Sequence, residues 1–276
     1  MIEFAKAHAY GNDFIYVPAA EVDGIEANQL AREMCHRQTG IGADGLIVYE
    51  SVDGGAAMRL FNADGSSAEI SGNGVRGLAA LLALDESRLI LDVTVATEGG
   101  TKRLTRLARD GSRQTFRTEM GKPTGLRQTS LRAAGEGVDL VVLNMGNPQA
   151  VLLGPLPSDD RFRALGSALE RHPAFPNGTN VEFAYVSEPA EVRVRIWERG
   201  VGPTMSSGTG SCAALVAAAA FGNAERKANI VAPGGAQLVE WTDEGVYLTG
   251  WAEVLCHGEW LRPLPQRAGS ALQTNT

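Results

Sequence analysis

Two stretches of the chain lack the usual alternation of polar and apolar positions and read as buried helices. They are Leu78-Ala79-Ala80-Leu81-Leu82-Ala83 and the run Ala213-Ala214-Leu215-Val216-Ala217-Ala218-Ala219-Ala220. Each follows a short polar, glycine-rich opening, Ser71-Gly72-Asn73-Gly74 in one case and Ser207-Gly208-Thr209-Gly210-Ser211-Cys212 in the other. A serine caps the first turn, glycines let a ligand approach the backbone, and a helix N-terminus favours an anion.

Around these helices the pattern predicts short strands. In the first half they cover residues 2–8, Phe14 to Val17, Leu46 to Tyr49 and Met58 to Phe61, with one amphipathic helix from Ala27 to Cys35. Alternation between Leu89 and Arg117 predicts short antiparallel strands, and Met120 to Glu136, rich in Gly, Thr and Arg, reads as the join between halves. The second half repeats the scheme: strands from Val138 to Asn144 and Val192 to Trp197, a helix from Leu165 to Arg171, and more strands beyond Gly234. The tail after Pro265 reads as disordered. Gly40-Ile41-Gly42-Ala43-Asp44-Gly45 precedes a strand, whereas phosphate-binding loops run from strand to helix, so nucleotide binding is not expected.

The repetition is in register. Ser71 and Ser207 lie 136 residues apart, and the same offset sets Met58–Phe61 on Val194–Trp197 and Gly42–Tyr49 on Gly178–Tyr185; an offset of 135 sets Gly11-Asn12 on Gly146-Asn147. The reading is two copies of one α/β unit, residues 1–120 and 121–250, with a strand near 251–265 returning to the first. A ligand belongs between them.

Composition narrows the function. A 276-residue chain with 44% hydrophobic residues suits two globular units, and a net charge of −7 offers no basic face to nucleic acid. There is no 18-residue apolar run and no basic-then-apolar leader, so the expectation is a cytoplasmic protein without a membrane partner. Three cysteines (Cys35, Cys212, Cys256) and four histidines (His8, His36, His172, His257) show neither a disulfide framework nor metal-ligand spacing.

The segments Gly11-Asn12-Asp13-Phe14, Asn62-Ala63-Asp64-Gly65-Ser66, Gly72-Asn73-Gly74-Val75-Arg76, Gly146-Asn147-Pro148, Glu198-Arg199-Gly200 and Gly208-Thr209-Gly210 occur in the order of a known motif set. In these the chain resembles the diaminopimelate epimerase family. The resemblance implies two similar α/β domains, each a strand barrel around a central helix, with the site in the cleft between. It also implies no pyridoxal phosphate, nucleotide or metal, and a small amino-acid substrate; a homodimer is among the assemblies left open. In the family, two cysteines across the cleft exchange a proton at the substrate α-carbon, one as thiolate and one as thiol. Their positions hold Ser71 and Ser207 here, the family histidine after Gly-Asn-Pro is Gln149, and Glu198 is retained. Gly77 after Arg76 and Ser206 before Ser207 also depart from the pattern, which favours divergence over a simple pair of Cys-to-Ser changes. Cys212 lies five residues past Ser207, too far along the helix to replace a thiol there.

Cofactor-free removal of an amino-acid α-proton needs a base on one face and an acid on the other. A serine hydroxyl is a much weaker acid than a thiol and needs an adjacent base. Glu198 is the candidate partner for Ser207, while Gln149 gives Ser71 no evident activator. For binding, the resemblance and the spacing nominate Gly72, Gly208 and Thr209 with the helix amides, Arg199 as a carboxylate partner, and Asn12, Asn62, Asn73, Asn147 and Asn180 for ammonium and carboxylate groups. Three functions stay open: a diaminopimelate epimerase-like isomerase, an isomerase or dehydratase of another amino acid using a carboxylate such as Glu198, or a binding protein that has lost the chemistry.

Overall fold

A computed structural model describes residues 1–261, and the tail predicted beyond Pro265 lies outside the described residues. The chain runs β1 (Ile2–Ala9), β2 (Asn12–Pro18), α1 (Ala27–Met34), β3 (Gly45–Val52), β4 (Gly55–Asn62), β5 (Ser67–Ala68), α2 (Gly72–Leu82), β6 (Leu91–Thr97), β7 (Gly100–Asp110), β8 (Arg113–Gly121) and β9 (Thr124–Ala133). It continues through β10 (Glu136–Asn144), β11 (Pro148–Leu153), α3 (Asp159–Glu170), β12 (Asn180–Glu188), β13 (Glu191–Glu198), β14 (Gly202–Thr204), α4 (Gly208–Phe221), β15 (Lys227–Ala232), β16 (Gly235–Trp241) and β17 (Val246–Trp260).

Strands β1, β2, β3, β4, β6, β7, β8 and β17 pair in that order, and β17 returns to β1, closing a ring. Inside it α2 packs Val75, Leu78, Ala79 and Ala80 against Tyr16, Ile47, Leu104 and Phe116. Strands β10 to β13, β15, β16 and β17 likewise cover α4, buried from Gly208 to Ala218. An all-round small apolar surface is what a helix enclosed by strands requires. The outer helices α1 and α3 bury one face each in separate clusters. This is the mixed α/β barrel-on-helix fold that the pattern and the resemblance predict.

The repeat holds with one correction. Phe14 stands beside Gly45 between β2 and β3, and Gln149 beside Asn180 between β11 and β12, so the offset on this strand is 135 and not 136. Side chains alternate along a strand, so a one-residue slip exchanges the faces. At 135, Leu46 and Val48 match Val181 and Phe183 in the outer clusters, and Ile47 of the inner core matches Glu182.

Other boundaries also move. The region read as short strands forms β6, β7 and β8 of 7, 11 and 9 residues. The segment read as a join is mostly β9, which among the described residues pairs only with β10 and so carries the solvent-facing Thr, Arg and Gln that resemble a linker. Helix α3 starts at Asp159, because Ser158 caps it and Asp159 and Asp160 suit its positive end. Gly77 has a local reason: a Cβ there would fall on the Tyr16 hydroxyl, which donates to Gly74 O at 3.0 Å. No helix among the described residues is long and apolar enough to cross a membrane.

Candidate active site

The N-termini of α2 and α4 meet. Ser71 and Ser207 are their caps, in extended backbone, and each Oγ accepts a hydrogen bond from the amide three residues on, Gly74 N at 3.1 Å and Gly210 N at 3.2 Å. Gly72 and Gly208 touch, and a Cβ on Gly72 would lie 3.2 Å from the Cα of Gly208. Two positive helix ends are thereby focused on one small volume.

A cavity of about 370 Å³ opens beside this junction. From the first half it is lined by Asn12, Asp44, Asn62, Glu69 and Ser71, and from the second by Asn147, Asn180, Glu198 and Arg199. Ser207 is not among the lining residues and is only 6% exposed. Gly72, Asn73, Gly208 and Thr209 are also buried behind the cavity wall.

The asparagines hold loops in place. Asn12 donates to Asp44 Oδ2 at 2.7 Å, Asn62 to Ser66 Oγ at 3.0 Å, and Asn180 Oδ1 accepts from Arg199 N at 2.8 Å. Asn73 bridges the halves, donating at 3.2 Å both to Asn12 Oδ1 and to Ser206 O. Ser206, buried, accepts from Gln237 at 2.9 Å, and Gln237 in turn accepts from the fully buried Arg76 at 3.1 Å. The residues that depart from the family pattern at 77 and 206 thus have packing or hydrogen-bonding partners.

Charge around the cavity is uneven. Arg37 joins Asp13 at 2.8 Å and Asp44 at 2.7 Å, and Lys6 joins Asp13 at 2.9 Å. Burial works against the Asp13 carboxylate, but Arg37 and Lys6 outweigh it and hold the group below its ordinary range. Glu198 has no such cation among the described residues. Burial, with Asp44 adding to it, pushes its carboxyl up to about 7, the range of a general acid or base at neutral pH. Arg199 reaches over the cavity to Glu69 at 2.9 Å and to Asn177 O at 2.9 Å.

Gln149 is 1% exposed, donates to Asn147 Oδ1, and leaves its own Oε1 without a hydrogen-bond partner among the described residues. Cys212 points into the core, where burial pushes its thiol up to about 12 against the pull of Arg76 and Lys102. No group of His, Cys, Asp and Glu among the described residues could hold a metal ion. Asp44 and Glu69, both in the cavity wall, are not nominated by the motifs. The signal for Asp44 lies in the loop Gly40 to Gly45, whose glycines draw attention to phosphate chemistry instead.

The fold has close counterparts. A solved structure of a predicted epimerase from Pseudomonas aeruginosa superposes with a TM-score of 0.74 at 17% identity, covering 95% of this chain and 100% of that one. The two chains therefore share one fold. Residues 4–126 and 141–255 match the family model described as diaminopimelate epimerase. A diaminopimelate epimerase of Desulforudis audaxviator is 39% identical over 278 residues, spanning 95% of this chain and 100% of that protein. One from Desulfitobacterium hafniense is 38% identical over 280 residues, spanning 93% and 97%. The chain belongs to the diaminopimelate epimerase family, and with it to the isomerases.

Proposed function

We propose that the protein is an amino-acid epimerase acting on L,L- and meso-diaminopimelate, with Glu198 as the group that takes and returns the α-proton. The observation that carries this is the Glu198 carboxyl, raised to about 7 in the wall of a cavity formed by both halves beside two converging helix N-termini. The units 1–120 and 121–250 act as the two sides of the site.

The α-carboxylate of the substrate lies in the cavity beside the converging ends of α2 and α4, whose dipoles stabilise the enolate-like charge that develops on it. Glu198, as carboxylate, removes the α-proton and becomes the neutral acid. Arg199 meets the distal carboxylate in place of Glu69. Return of a proton to the opposite face falls to Ser71, which lines the cavity and whose Oγ accepts from Gly74 N; the alkoxide it leaves takes a proton from solvent while Glu198 releases the one it removed, which restores the starting state. A hydroxyl is a poor acid, so inversion is slower than removal and return on one face.

Proton NMR of L,L- and meso-diaminopimelate in deuterated water tests this. The expected result is α-deuterium wash-in that outpaces inversion and disappears in Glu198→Gln. Wash-in that survives Glu198→Gln removes Glu198 from its role. Wash-in only into another α-amino acid moves the substrate, and none with any amino acid leaves a binding protein.

A further inference from the structure

Glu182 is the least expected residue of the second half. It is fully buried, and neither carboxyl oxygen has a hydrogen-bond partner among the described residues. A buried polar group left unpaired costs roughly 1 to 3 kcal/mol and calls for an explanation.

Its position supplies one. On the inner face of β12 it stands opposite Ile196 of β13, and Glu198 lies two residues further along β13, so the two carboxyls are diagonal neighbours on one face. Above them is the first turn of α4: a Cβ placed on Gly210 would lie 2.9 Å from Glu182 Oε1, 3.3 Å from Ile196 Cδ1 and 3.3 Å from Ser207 Cβ. The first half has the same construction without the acids. There Ile47 Cδ1 approaches the corresponding point on Gly74 at 2.8 Å, Leu60 stands opposite Ile47, and Asn62 takes the place of Glu198. The sequence thus replaces Ile47 and Asn62 of one copy with two carboxyls in the other, both on the Ser207 side.

We propose that Glu182 and Glu198 act as one carboxyl pair holding a single proton at neutral pH behind Ser207, with Glu198 facing the cavity and Glu182 as the reserve site. The inference rests on the reading of Glu198 given above and deepens it. When Glu198 accepts the α-proton, the pair holds two protons; returning one to the substrate carbanion restores the starting state. Glu182 is a positioning residue, since it stands diagonal to Glu198 across β12 and β13 and under the helix end, away from the cavity lining. Its surroundings keep it neutral. Burial and then the charge of Glu198 push its carboxyl well above the usual range, and no cation among the described residues offsets them. Val151 of β11 flanks it, Ile196 faces it from β13, and the Ser207 cap of α4 lies against the same Gly210. Asp44 is the further acid bearing on Glu198, and the Arg199 guanidinium next to it is paired with Glu69.

The test needs no turnover: ¹³C NMR titration of the full chain labelled at glutamate carboxyls, native against Glu198→Gln and Glu182→Gln. In the native protein the Glu198 signal titrates near 7 while that of Glu182 stays protonated at that pH, and Glu198→Gln raises the acidity of Glu182 by tenfold or more. A Glu182 already ionised at neutral pH, or one unmoved by Glu198→Gln, overturns the pair. A second arm follows α-deuterium wash-in against pH. Native exchange rises through about 7 and falls at higher pH as the reserve proton leaves, while Glu182→Gln keeps the rise and loses the fall. A fall retained in Glu182→Gln also overturns the proposal. Coupled titration without wash-in on diaminopimelate supports the pair and overturns the substrate reading instead. If Glu182→Gln fails to fold, the Glu198→Gln titration still decides.

Discussion

Gly72 and Gly208 lie back to back, and a Cβ on either would sit 3.2 Å from the Cα of the other. Their contact sets how closely the two serine-capped helices converge. Gly208→Ala should therefore press the helix ends apart, at about 1 to 3 kcal/mol in stability. A displacement near 1 Å at a reacting centre can cost on the order of 10² in rate, so the expected outcome is a large loss of α-proton exchange with a modest drop in Tm. Calorimetry and deuterium wash-in on the same sample measure both. Equal, small losses in the two would show that convergence is not needed.

Glu198 predicts a pH-dependent stability as well as activity. Its folded-state carboxyl is raised to about 7, so below its ordinary range it is neutral in both states and nothing is lost. As pH climbs from about 4.5 to 7, the unfolded chain gives up the proton and the folded chain does not, so native stability falls by up to about 3 kcal/mol. Glu198→Gln should match the native Tm near pH 4 and exceed it near pH 8. A constant difference across that window would place the carboxyl in an ordinary environment.

Arg199 and Glu69 make an ion pair with side chains 29% and 51% exposed, worth about 0 to 1 kcal/mol to the fold. Glu69→Gln should leave Tm within about 1 kcal/mol of native and tighten binding of a dicarboxylic amino acid, because the ligand no longer competes with a resident carboxylate. Arg199→Ala should weaken the same binding by on the order of 2 to 4 kcal/mol. Titration calorimetry gives the sign of each; unchanged affinity in Arg199→Ala would make the residue structural.

The serines can be asked directly. Cysteines at positions 71 and 207 would cap the same helices, whose N-termini favour a thiolate. Ser71→Cys combined with Ser207→Cys should raise α-proton exchange, and adding Gln149→His should raise it further by roughly 10², the scale of a positioned base. No gain in the triple variant would argue that the carboxyls alone carry the chemistry.

Much of this was legible in the chain because the repeated unit repeats its physics. A capped, small-residue helix can only be enclosed, and both copies of it are. The motif loops carry Asn12, Asn62, Asn147, Asn180, Glu198 and Arg199 to one cavity. What stays hidden in the sequence is parity. An ungapped offset of 136 sets Glu182 against Leu46, an outward-facing core position, and only the strand register reveals its true counterpart as Ile47 on the inner face. Asn73 carries no local sign that its amide joins the two halves, since Ser206 is 133 residues away. Edge strand β9 looks like a linker because half its hydrogen-bonding and one of its faces are left to water.

The length of β17 has a consequence for how the molecule is made. Thr249, near its start, pairs with Leu238 in the second set of strands, and Trp260, at its end, pairs with Ile2 in the first. Strand β1 can therefore pair with β2 as soon as both are made, while its other edge waits for the far end of β17. Such distant pairing slows folding and leaves a bare strand edge meanwhile. The ring around α2, whose cap is Ser71, closes only when β17 is in place.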